Sequence, residues 1–132
     1  LGGSVNVEKI NFSMDSEPDG VLISADPEQM ERVMVNLFSN AVDAMPGGGD
    51  LKVKVKTRKD RVEMTVSDTG KGMSAETIDK IYDPFFTTKD KGTGLGLAIV
   101  FNIIKKHHGV ILVQSEEGKG TTFMITLPKG KG

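Results

Sequence analysis

The segment "LKVKVKT" (51–57) places apolar and charged residues on strictly alternate positions. "RVEMTVSD" (61–68) does nearly the same after an "RKD" turn. A period of two is the signature of a half-buried strand, and two such runs joined by three residues form a hairpin. Its apolar face needs a cover, because a lone hairpin is marginal in water. A second hairpin is expected in "VILVQSEEGKGTTFMITLP" (110–128), turning at "EEGKG". Val5–Met14 partly alternates and reads as another strand, and "VLIS" (21–24) reads as a short one after the "EPDG" turn.

The cover comes from helical patterns between these strands. In "ADPEQMERVMVNLFSNAVDAMPGGGD" apolar residues recur at Met30, Val33, Met34, Leu37, Phe38, Ala41 and Ala44, a helical period. Asp26 suits the N-cap, Pro27 the first helical position, and Gln29 completes a capping box. Pro46 and three glycines stop the helix. "SAETIDKI" is a short helix capped by Ser74, and "LGLAIVFNIIKKHHG" a longer one closed by Gly109. Hairpins with interspersed helices predict one mixed sheet with helices on one face.

A length of 132 residues fits one domain, taken as 1–132. The net charge of −1 gives no field to attract nucleic acid or an anionic membrane. The absence of cysteine excludes disulfides, thiol nucleophiles and zinc–thiolate sites. No apolar run nears the ~20 residues of a membrane span, and Leu1–Val5 does not open a signal peptide.

Chemistry concentrates in a few places. Asn36 and Asn40 lie one helical turn apart, on one face. Their amide oxygens suit Mg²⁺ and their NH₂ groups suit phosphate, although the pair alone better fits a polar helix surface. "DTGKGM" (68–73) ends a strand with a carboxylate. Gly70 and Gly72 there let the backbone turn close to a ligand, although in isolation an ordinary Asp-Thr-Gly turn is the better reading. In "DPFFTTKDKGTGLGLAIV" (83–100) two aromatics precede a polar, glycine-rich stretch that runs into a helix. That stretch matches neither a Rossmann nor a Walker loop, yet alternating glycines before a helix N-terminus suit phosphate. His107 and His108 stand at a helix end beside lysines, where a structural role is expected.

Taken in order, "NLFSNAVDA", "DTGKGM", "DPFFTTK", "GTGLGLAIV" and "GKGTTFMITLP" resemble the N, G1, F and G2 boxes of the ATP-binding catalytic domain of sensor histidine kinases. That domain belongs with DNA gyrase B, the heat-shock chaperone ATPase and the mismatch-repair ATPases. The resemblance runs from about Val21 to Pro128, and "FFTTK" is most similar to the nitrogen-regulation branch. It implies an α+β, two-layer sandwich of the Bergerat type: a mixed, mostly antiparallel five-stranded sheet under three helices. It implies ATP or ADP with Mg²⁺, Asn40 as metal ligand, and Asn36 assisting at metal or phosphate. Asp68 would accept from the adenine amine, Gly70, Gly72 and Met73 would shape the base slot, and Thr122 would hold water beside Asp68. Phe85, Phe86, Thr87 and Thr88 would lie in a lid. Lys89 would sit near the γ-phosphate, with Lys91, Gly92, Thr93, Gly94, Leu95, Gly96 and Leu97 around the phosphates. Many sensor kinases carry Lys or Arg at the position of Asp43, and Tyr or His at that of Ala44. Here Lys89 or Lys91 is left to supply the positive charge.

The function implied is transfer of the γ-phosphoryl group to a histidine on a separate dimerisation domain, which in turn serves a response regulator. The alternatives are a gyrase-type hydrolase and a partner-switching serine kinase. The hydrolases of the superfamily carry Glu at the position of Asn36, and "GTGLGLAIV" favours the histidine kinase. The acceptor segment is expected upstream of Leu1. The chain is therefore expected to be a cytoplasmic monomer that binds ATP but does not label itself.

Overall fold

The computed structural model describes residues 10–17, 27–81 and 96–128. The elements run β1 (Ile10–Glu17), α1 (Pro27–Ala44), β2 (Gly49–Thr57), β3 (Arg61–Asp68), α2 (Ala75–Lys80), α3 (Gly96–Lys106), β4 (Val110–Glu116) and β5 (Gly120–Pro128). The expected strand at 21–24 and the Asp26 cap lie outside the described residues. The first strand runs three residues further than the alternation suggested, ending at Glu17 rather than Met14.

The strands form one five-stranded sheet in the order β1-β2-β3-β5-β4. Among the described strands only β1–β2 is parallel, because α1 carries the chain back between them; the hairpin partners and β3–β5 are antiparallel. Register follows from the alternation. Leu51 and Val53 on β2, Val66 on β3, and Phe123, Ile125 and Leu127 on β5 are buried on one face. Lys52, Lys54 and Lys56 stand exposed on the other.

The buried face is covered by α1 and α3. Val33, Leu37 and Ala41 of α1 and Val100, Ile103 and Ile104 of α3 join the strand residues in a single core. Met30, Met34 and Phe38 flank it, as the helical period predicted. Burying one such Leu or Ile contributes about 1.5–3 kcal/mol, so this seam supplies most of what holds helices to sheet. α2 follows the loop after β3; its Ser74 hydroxyl accepts from Thr77 N at 3.2 Å, the cap expected from sequence.

The end of α3 departs from expectation. Gly109 was expected to close the helix, but the left-handed residue is His108, at φ 60°. Gly109 N bonds Ile104 O at 2.9 Å and His108 N bonds Lys105 O at 3.0 Å, the paired pattern of a Schellman end. Histidine is one of the side chains that tolerate this conformation. Gly109 is glycine for a different reason: a Cβ there would sit 2.7 Å from Thr126 O and 2.8 Å from Leu127 Cδ2. It lets the chain turn tightly against β5.

Candidate functional site

The apolar stripe of β3 runs Val62, Met64, Val66 and then breaks with Asp68, which shares its face with Leu51 and Thr121 across the sheet. The strand period therefore carries a carboxylate to the end of the helix-covered face. Burial pushes the Asp68 carboxyl above its ordinary range, while N–H groups of Gly70 and Thr121 pull the other way. Gly70 N donates to Asp68 Oδ1 at 2.8 Å. The Asp-Thr-Gly turn anticipated as an ordinary structural motif is thus formed, and it spends one acceptor position. A carboxylate has about four, so capacity remains for a ligand.

The loop after Asp68 is fastened on two sides. Toward α1, Lys71 N bonds Ala44 O at 3.0 Å. Gly70 lies so close there that a Cβ would fall 2.6 Å from Ala44 O and 2.7 Å from Ala44 Cβ. The small residue at 44, where the family resemblance suggested a ring, fits this close approach. Toward the β4–β5 hairpin, Gly118 N bonds Lys71 O at 2.7 Å and Met73 N bonds Ser115 Oγ at 2.8 Å. Gly72 has φ 68°, and a side chain there would run into the Glu116 carbonyl. Asp68, the 69–73 loop, the end of α1 and the β4–β5 turn thus meet at one end of the sheet.

Asn40 lies one turn back from Ala44 along α1, and Asn36 one turn further. Asn36 Nδ2 donates to Arg32 O at 2.9 Å, which engages one of its N–H donors with its own helix. Glu28, Glu31, Arg32, Val35 and Asn36 of α1 and Ile99 of α3 line an open groove of ≈ 310 Å³. Asn36 and Asn40 offer amide oxygens, neutral hard donors of the kind Mg²⁺ accepts alongside phosphate and water. Among the described residues no group of three or more His, Cys, Asp or Glu could hold a metal by itself.

The structure therefore brings together Asp68, Gly70, Gly72, Met73 and the end of α1, where Asp43 lies. Gly96 begins α3 and Leu97 packs against the core. Phe85, Phe86, Thr87, Thr88, Lys89, Lys91, Gly92, Thr93, Gly94 and Leu95 lie outside the described residues.

One expected residue is displaced. Thr122 sits opposite Ser67, their hydroxyls 2.9 Å apart, on the face away from Asp68. The hydroxyl beside Asp68 belongs to Thr121, which is only 7% exposed. The sequence held the signal. Phe123, Ile125 and Leu127 fix the inward parity of β5, so Thr121 points in and Thr122 out. Ser115 was also missed. It follows Ile111 and Val113 on the inward parity of β4, opposite Thr121.

Residues 25–131 match the family described as histidine kinase-, DNA gyrase B-, and HSP90-like ATPase. Sporulation kinase E of Bacillus subtilis (strain 168) is 40% identical over 129 residues, 97% of this chain and 18% of that protein. The sensor histidine kinase ZraS of Escherichia coli (strain K12) is 46% identical over 106 residues, 80% of this chain and 23% of that protein. A nucleotide-free catalytic domain of the histidine kinase ThkA superposes with a TM-score of 0.82 at 34% identity, covering 92% of this chain and 81% of that one. The chain spans about a fifth of the length of these two curated relatives. It belongs to the family of histidine kinase-, DNA gyrase B- and HSP90-like ATPases, and its fold is that of histidine kinase catalytic domains. Among the described residues no helix is long and apolar enough to cross a membrane.

Proposed function

We propose that this chain binds ATP with Mg²⁺ and donates the γ-phosphoryl group to a histidine on a separate domain of a two-component sensor kinase. The observation that carries the reading is Asp68: a partly buried carboxylate ending an apolar stripe, on the helix side, beside a loop fastened to α1 and to the β4–β5 hairpin. It would accept from the adenine amine. From Ala44 back to Asn36 is eight residues, about 12 Å of helix, comparable with the reach from a purine to its terminal phosphate. Asn40, with Asn36, would hold Mg²⁺, which supplies charge neutralisation on the phosphates. The start of α3 offers N–H groups to the same phosphates. Met73 would border the base slot, and Lys89 and Lys91 would supply positive charge for the phosphates. The full-length ShkA relative was solved in complex with AMPPNP, at 27% identity and a TM-score of 0.83 over 99% of this chain; this supports a nucleotide at the equivalent site.

Transfer to histidine is favoured over hydrolysis by Asn36. An amide cannot take a proton from water, so the position lacks a general base. The acceptor would be a histidine domain of the parent kinase, with a response regulator downstream of it.

Calorimetry with Mg-ATP and Mg-ADP tests the binding reading. Asp68→Asn is expected to weaken binding roughly ten- to a hundred-fold, the value of a charge-assisted hydrogen bond of about 1.5–3 kcal/mol. Asn40→Ala is expected to remove the dependence on Mg²⁺. No heat from the folded wild-type chain sinks the reading. For transfer, radiolabelled ATP should label an added acceptor-histidine fragment but not this chain alone.

A further inference from the structure

The hydroxyls beside Asp68 can be assigned donor by donor. Ser115 Oγ lies 2.8 Å from Met73 N, 2.9 Å from Gly120 O and 2.8 Å from Thr121 Oγ1. A backbone N–H only donates and a carbonyl only accepts. Ser115 has one proton, and Gly120 O takes it. Thr121 must then donate its own proton to Ser115. Thr121 sits directly opposite Asp68 on the neighbouring strand, where facing Cβ atoms are about 4.5–5.5 Å apart. With its proton committed to Ser115, Thr121 has only lone pairs left for anything at that end of the sheet. Asp68 and Thr121 then form a pair of acceptors.

We propose that Ser115 is a positioning residue for base selection. By holding the Thr121 proton away from the site, it makes the base end acceptor-only, so that a 6-amino purine is taken and a 6-oxo purine refused. The proposal rests on the nucleotide reading above and deepens it. A 6-amino group, or a water bound to it, supplies donors to both acceptors. A 6-oxo group brings a third acceptor to the same place and leaves it unpaired. Removing the Ser115 hydroxyl frees the Thr121 proton to swing round and satisfy that oxygen.

The test compares ATP with inosine triphosphate by calorimetry on the 132-residue chain. The wild type is expected to prefer ATP. Ser115→Ala should shrink the ATP-to-ITP affinity ratio on the order of tenfold, the worth of one neutral hydrogen bond, mainly by strengthening ITP. Ser115→Thr, which keeps the hydroxyl, should hold the wild-type ratio. A merely structural role would weaken both nucleotides alike and leave the ratio where it was. Ser115→Cys keeps the size of the side chain without its strong hydrogen bonds; it replaces the alanine variant if that one does not fold. Amide exchange without nucleotide gives an independent readout: Met73 N–H should exchange faster in Ser115→Ala. An unchanged ratio in a folded Ala or Cys variant overturns the proposal and leaves the nucleotide reading standing. Failure of the wild type to bind any adenine nucleotide overturns both.

Discussion

Strands β2 and β3 have two ends, and different physics holds each. At the turn end, Arg58 pairs with Glu63 at 3.0 Å, and Arg61 pairs with Asp60 at 3.0 Å and Glu63 at 3.2 Å. These side chains are in water; Arg58 is 50% exposed and Asp60 76%. At the loop end the fastenings are backbone and hydroxyl groups. Asp50 N donates to Thr69 Oγ1 at 2.9 Å and Thr69 N to Asp50 O at 3.2 Å, and the loop beyond is bonded to α1 and to the β4–β5 hairpin. Long flexible ion pairs tolerate change because solvent replaces whatever they lose. Close backbone contacts do not, because no solvent fits where a Cβ would have to go. The proposed nucleotide site lies at the end where the geometry is over-determined.

The largest expected effect comes from adding one methyl group at the loop end. Gly72→Ala meets both a left-handed backbone and the Glu116 carbonyl. The left-handed conformation costs about 1–2 kcal/mol and the forced shift about 1–3 kcal/mol, so a loss of about 2–5 kcal/mol is expected in urea unfolding. Nucleotide affinity should fall with it. A fully stable variant would mean that the loop is not fixed by its close approach to β4.

The next effect runs the other way. Burial raises the Asp68 pKa in the folded chain. A carboxyl with a raised folded pKa favours the folded state while protonated, and that advantage is lost as pH rises through the folded value. Without nucleotide, Asp68→Asn should therefore be at least as stable as wild type at pH 7. Its margin should close as pH falls toward the ordinary Asp range near ~3.9. The same substitution is expected to weaken nucleotide binding, so stability and affinity would part at this one residue. A variant less stable than wild type at pH 7 would show that the N–H groups of Gly70 and Thr121 outweigh desolvation.

Much of this was legible beforehand, for a physical reason. The period-two runs at 51–57 and 61–68 and the helical stripe of α1 encode which face is buried, and burial decides the fold. The Asp68 end was marked by the family resemblance, since the carboxylate ending the β3 stripe reads by itself as an ordinary Asp-Thr-Gly turn. Thr121 was misread as Thr122 because the residue was chosen by motif rather than by the parity that Phe123 sets. His108 was passed over because glycine is the usual left-handed residue, and nothing in the chain showed that Gly109 was needed for space against Thr126. The sheet order, with β1 parallel to β2 and β5 inside β4, depends on pairings between strands far apart in sequence, which no local period reports.

The smallest effect belongs to the turn end. Arg58→Ala with Arg61→Ala removes three exposed ion pairs and leaves Glu63 and Asp60 in water, where both are well solvated. Hydrogen bonds from Arg58 and then Arg61 hold the Glu63 pKa below its ordinary value. A lowered folded pKa means that any stabilisation is present above the unfolded carboxylate pKa and is lost as pH falls through the folded one. At low ionic strength, wild type should therefore keep a small advantage at neutral pH that disappears in acid. At physiological salt, which weakens exposed ion pairs that are worth little to begin with, the gap between the two melting curves should narrow. Nucleotide affinity should not change under any of these conditions, because the turn lies a full strand length from Asp68. A salt-insensitive loss of stability, or any loss of affinity, would mean that the turn end is as tightly coupled to the loop end as the loop is to α1, and the contrast between the two ends would fail.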